Sequence, residues 1–116
     1  MKNEPLRNRT KNLALRAVRM YCRLPRSPEA QVLGKQALRA GTSVGANYRE
    51  ASRARSNAEF VAKLGIVEQE LDKLYWLELL VESGIVPEGK MRDLHQEADE
   101  LLRMTIAAIK KARSQE

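Results

Sequence analysis

Apolar residues recur at alternating intervals of three and four in four successive stretches, and the punctuation between stretches leaves almost no loop. That spacing puts each apolar set on one side of a helix. In the first stretch, residues 10–24, the set is Leu13, Ala14, Ala17, Val18, Tyr21 and Leu24, and Pro25 stops the helix by restricting the residue before it. Ser27-Pro28-Glu29 then reads as a new start: a capping hydroxyl, a proline suited to the first turn and an acid at the positive helix end. The second stretch, residues 28–54, carries Ala30, Leu33, Ala37, Gly41, Val44, Tyr48 and Ala51. Gly34, Gly41 and Gly45 lie inside it, and interior glycines at about 1 kcal/mol each point to a neighbouring helix in close approach.

Ser56-Asn57-Ala58-Glu59 has the form of a capping box, so the second turn falls at Arg55. The third stretch, residues 57–83, continues the seam with Phe60, Leu64, Val67, Leu71 and Leu74, widened by Val61, Tyr75, Leu77, Leu80 and Val81. Gly84 is placed to cap it. Pro87-Glu88 opens the fourth, residues 87–112, with Met91, Leu94, Ala98, Leu101, Thr105, Ala108 and Ala112 on one face. Short connections make sequential helices antiparallel, giving a single all-α domain over residues 1–116, an up-down-up-down four-helix bundle. Aromatic residues are only 4%, which argues against a β-sandwich or barrel. The breadth of the apolar stripes leaves surface over for self-association.

Residues 1–55 hold 13 basic and 3 acidic residues, and residues 56–116 hold 8 and 12, so net charges of +10 and −4 make up the total of +6. Arg16, Arg19 and Arg23 form a stripe with Arg9 and Arg26, and Lys35, Arg39, Arg49, Arg53 and Arg55 follow on the second helix. Such a surface neutralises phosphates, stays a solvated face, or pairs with the acidic residues of the third and fourth stretches, for which Glu68, Glu70, Asp72, Glu78 and Glu82 are the partners. The start of the chain is polar, and the most apolar window, residues 74–86, is too short and too interrupted to span a bilayer. A cytoplasmic protein without membrane contact is expected, and the lone Cys22, read as a partly buried inert thiol, fits a reducing compartment. His95 lacks enough neighbouring ligands at closing spacing for a metal site. No phosphate-cradling loop, nucleophile elbow or Cys–His pair is present, so neither an enzyme nor a cofactor is expected.

The run from Ala40 through Gly41-Thr42-Ser43-Val44-Gly45-Ala46-Asn47-Tyr48-Arg49-Glu50 to Phe60, then residues 63–67 and 74–80, resembles the bacterial four-helix bundle family, also called the 23S rRNA-intervening-sequence proteins. The resemblance implies a ring-shaped homo-oligomer, typically a homopentamer. A related branch, accessory to diversity-generating retroelements, implies contact with RNA or with a ribonucleoprotein such as a reverse transcriptase complex. On that footing the basic surface of helices one and two is read as nucleic-acid-binding, carried by Arg16, Arg19, Arg23, Arg53 and Arg55. The alternative is an adaptor oligomer that holds a protein partner through apolar patches around Trp76 and Leu80. Asn47 and Glu50 match the family's Asn-x-x-Glu and, with Ser43, read as a polar network fixing register or a subunit contact. Gly41, Tyr48, Phe60, Trp76 and Leu80 read as core or oligomer contacts. Adjacent Tyr75 and Trp76 are expected on different faces. One departure is visible: the family carries about one more residue between Glu70 and Tyr75, which alters the register of helix three around Leu71 to Trp76.

Overall fold

A computed structural model describes residues 4–115; residues 1–3 and 116 of the expected domain lie outside the described residues. Helix α1 spans Glu4–Cys22, α2 Pro28–Ser52, α3 Asn57–Asp72, α4 Trp76–Glu82 and α5 Glu88–Arg113, with a 3-10 turn at Lys73–Tyr75 joining α3 to α4. Together α3, the turn and α4 make one arm, so four arms run up and down in a rod of 48 × 20 × 19 Å. Helix α1 packs on α2, α2 on α3 and α4, α3 on α5, and α5 back on α1, which closes the core.

The first helix begins six residues earlier than its spacing predicts, because Leu6 and Thr10 are both buried and extend the seam by a turn. Thr10 meets its buried hydroxyl by donating to the Arg7 carbonyl at 3.0 Å. At the first connection the Ser27 side chain accepts from the Ala30 amide, as its sequence position indicates. Gln31 ties the same turn by accepting from the Tyr21 hydroxyl at 2.7 Å and donating to the Pro25 carbonyl at 3.1 Å. At the second connection Ser56 accepts from the Glu59 amide at 3.0 Å. Glu59 reaches back to the Arg55 amide rather than to Ser56, so the capping box closes one residue early. Asn57 then donates to the Ala112 carbonyl, fastening the start of α3 to the end of α5.

The close α1–α2 approach expected from the glycines is present. A Cβ built on Gly41 would stand 2.7 Å from the Ala17 Cβ, and one on Gly45 would stand 3.2 Å from the Thr10 carbonyl oxygen. Ala17 Cβ is fixed by its backbone, so Gly41→Ala must push the helices apart. Overpacking of that kind costs about 1–3 kcal/mol, partly offset by about 1 kcal/mol of helix propensity. Gly65 has no neighbour within 4 Å of such a Cβ. Gly65→Ala is therefore expected to stabilise by about 0.5–1 kcal/mol. Denaturant midpoints of the two variants should move in opposite directions.

The third arm departs from the expected unbroken helix. Its buried positions are Leu64, Val67, Leu71, Leu74, Leu77 and Leu80, so from Leu71 onward the interval is a constant three. In an α-helix each step of three falls about 60° short of a full turn, so three such steps would carry Leu80 to the side opposite Leu71. A 3-10 turn has three residues per turn and recovers about 60° of that drift. Lys73–Tyr75 overlaps the stretch between Glu70 and Tyr75 in which the family resemblance implies one residue fewer. The arm ends in a Schellman motif: Gly84, at φ +81°, donates to the Val81 carbonyl and Ile85 donates to that of Leu80.

Candidate nucleic-acid interface

Helix α1 carries cations on both flanks. On the α5 side, Arg16, Arg19 and Arg23 form one wall of a groove of about 710 Å³, and Lys90 of α5 stands on the other. Its floor is aliphatic: Met20, Leu24, Ile85, Val86, Met91 and Leu94. None of the four cations has a carboxylate in ion-pair range among the described residues. On the α2 side a second groove, of about 480 Å³, is lined by Arg7, Lys11 and Arg49 over Ala14, Thr42, Gly45 and Ala46. The small side chains that let α1 and α2 approach also form this floor.

Arg9, in the same basic run, is already engaged. Its Nε donates to Glu97 at 2.9 Å, and one terminal nitrogen donates to Glu97 at 2.7 Å and to Glu100 at 2.8 Å. The bidentate fork from Arg9 holds the Glu97 carboxyl below the usual range, and the two carboxylates raise the Arg9 pKa. A depressed carboxylate pKa contributes stability that is complete above the ordinary value near 4.5 and is lost as pH falls through the lower folded value. Arg9 works in the opposite sense and loses its contribution only above an arginine's ordinary pKa, so the acid limb is the one that can be read. Both side chains are partly exposed, at 32% and 20%, so screening limits the pair. Arg9→Ala is expected to cost about 1 kcal/mol at neutral pH and to flatten the loss of stability below pH 4.5. Denaturant unfolding at neutral and acid pH reads both effects.

The five arginines expected on one surface are divided by the structure. Arg16, Arg19 and Arg23 share the first groove. Arg53 caps the far end of α2, and Arg55 lies in the following turn, 3.9 Å from Glu59. The 25 residues of α2 separate Arg23 from Arg53, an axial distance of about 37 Å. The alternative pairing of the basic half with acids of the third and fourth stretches is met in part, by Arg9 with Glu97 and Glu100 and by Arg55 with Glu59. Among the described residues it is not met at the helix-three acids named for it. Glu70 pairs with Lys73, Glu78 with His95, and the cross-helix contact runs the other way, from Lys63 of α3 to Glu50 of α2 at 2.6 Å.

Ser43, Asn47 and Glu50 do not form a network of side chains bonded to one another. The Asn47 amide donates to the Ser43 backbone carbonyl at 2.9 Å, while Glu50 turns outward to Lys63. Gly41, Tyr48 and Leu80 are buried within the chain, and Phe60 and Trp76 pack half-buried against the core. Leu80 is 0% exposed, so it cannot belong to a docking patch. Tyr75 and Trp76 do not diverge: their ring centroids lie 4.8 Å apart at the 3-10 turn. They line neither groove. Cys22 is exposed, not partly buried. His95 contacts Glu78 at 3.1 Å and Asp99 at 3.6 Å, and no group of three or more metal-ligating residues forms among the described residues. Sequence reasoning missed Arg7, which lies before the predicted helix start, Lys11, in the first turn of the predicted helix, and Lys90, whose partners are distant in sequence.

These features define a four-helix bundle with a cationic groove on each flank of its first helix. The model of the 23S rRNA-intervening sequence protein matches residues 3–107, and the chain belongs to that family. A crystal structure of a protein of unknown function, from the S23 ribosomal protein family of Bacteroides thetaiotaomicron VPI-5482, is similar to it. That likeness has a TM-score of 0.84 at 35% identity, covering 90% of this chain and 97% of the other. No curated protein matches the chain. Among the described residues no helix is long and apolar enough to cross a membrane.

Proposed function

We propose that this protein is a non-enzymatic, cytoplasmic RNA-binding bundle that contacts RNA or a ribonucleoprotein through phosphates. The observation that carries the reading is the wall of Arg16, Arg19 and Arg23, which has no carboxylate in ion-pair range among the described residues although Arg9 has two. Glu97 feels Arg16 only at longer range. Guanidinium groups on the last turns of α1 and just beyond its end, without a direct carboxylate contact, suit forked contact with phosphate oxygens. The family takes its name from an intervening sequence of 23S rRNA.

Self-association is part of the same proposal. Leu15 and Val18 are each 41% exposed on the outer ridge of α1, and Val32 of α2 is 63% exposed. A homo-oligomer, with five copies as the family resemblance implies, would cover these side chains and array the grooves side by side. Binding of a ribosomal RNA fragment at 50 and 200 mM salt, with the mass in solution recorded alongside, tests both parts. Affinity should fall roughly 20-fold between those salts if three phosphates are held. Absence of binding at the lower salt would remove the RNA reading, and a monomer mass would remove the oligomer.

A further inference from the structure

The geometry points to single-stranded nucleic acid, held without discrimination between ribose and deoxyribose, as the occupant of the groove between α1 and α5. This rests on the RNA-binding reading and sharpens it to a strand state and to a residue, Lys90. Three features of the groove carry it.

The first is the combination of wall and floor. Arg16, Arg19 and Arg23 at the rim face Lys90 across a floor made of Met20, Leu24, Ile85, Val86, Met91 and Leu94. A duplex offers the rim its phosphates but keeps its bases stacked and paired, so the aliphatic floor would stay unfilled. An unstacked base can lie on that floor and remove it from water while its flanking phosphates reach both walls. The second is shape: the groove is a local depression of about 710 Å³ between α1 and α5, a concavity that can receive a base flipped out of a strand. The third is what the lining lacks. Its side chains are arginine, lysine, proline and aliphatic residues, with no carboxylate, amide or hydroxyl among them. No carboxylate, amide or hydroxyl there accepts a hydrogen bond from a 2′-hydroxyl, so the lining offers no strong side-chain acceptor that would tell ribose from deoxyribose. Aromatic platforms are absent too, which keeps the preference for single strands modest.

The test is fluorescence anisotropy at 0.1 M salt with a 20-nucleotide RNA, the DNA of the same sequence, and the corresponding RNA duplex, for the native protein and for Lys90→Glu. Lys90 is exposed in the first turn of α5, where a glutamate favours the helix, so the variant should fold. Purely electrostatic attraction favours the duplex, whose charge density is higher. The expected result is therefore discriminating: the single strand binds about fivefold tighter than the duplex, and RNA and DNA agree within about twofold. Lys90→Glu should weaken the single strand by at least about fivefold. Equal or tighter duplex binding, a large preference for RNA over DNA, or indifference to Lys90→Glu overturns the inference while leaving the RNA-binding reading standing. Failure to bind any of the three overturns both.

Discussion

Reversing Arg16, Arg19 and Arg23 to glutamate is expected to lower RNA affinity by about 100-fold at 0.1 M salt. Each phosphate neutralised contributes a salt exponent of about 0.7 on a single strand, which is roughly fivefold in affinity at that salt, and three contacts multiply. The three side chains share one groove wall and no direct ion pair among the described residues, so their reversal breaks no hydrogen-bonded contact. Only Arg16 acts, at longer range, on an acid of the bundle, Glu97. Stability should change little, because surface substitutions away from packed features usually stay within about 0.5 kcal/mol. Reversing Arg53 and Arg55 makes the matching control. They stand at the other end of α2, and Arg55 already faces Glu59. If that pair weakened RNA binding more than the groove arginines, the site would belong at the far turn. Anisotropy titrations of the two variants, with unfolding curves beside them, separate the cases.

Leu80→Ala is expected to cost about 2–5 kcal/mol, a large share of a small domain's stability. Leu80 is fully buried beneath α2 and α5, and its carbonyl accepts from the Ile85 and Val86 amides that end the third arm. Were it part of an exposed docking patch, truncation would spare the fold and affect only partner capture. Denaturant unfolding of the variant decides this, with Val32→Ala as the contrast. Val32 is 63% exposed, so its truncation should leave the monomer's unfolding nearly unchanged.

Most of the bundle was legible because its signals are local. Ser27 and Pro28 start α2, Ser56 starts α3 and Gly84 ends the third arm, each through contacts within a few residues. The glycines inside α2 announced a close neighbour, and Ala17 and Thr10 supply it. The 3-10 turn was written in the sequence as well, in the constant interval of Leu71, Leu74, Leu77 and Leu80, which an α-helix cannot keep on one side. Treating Leu77 and Leu80 as a widening of the seam hid it.

The site was legible only in part. Helical spacing placed Arg16 and Arg19 together, because a helix fixes which residues share a flank, and Arg23 joins them from the turn that follows Cys22. It gave no means of seeing that Glu97 and Glu100 would take Arg9, since that pairing joins residues 88 and 91 positions apart. For the same reason Lys90 was invisible as the opposite wall, and Arg53 was grouped with arginines that the length of α2 keeps away from it. Composition located the positive half of the chain; only packing shows which of its charges are left unpaired.

The most direct test is the slope of log affinity against log salt for RNA binding by the native protein and by the triple reversal of Arg16, Arg19 and Arg23. The slope should be about two units shallower in the variant, the share of three phosphates on a single strand. Identical slopes would show that these arginines meet no phosphate, and would contradict the RNA-binding assignment of the groove.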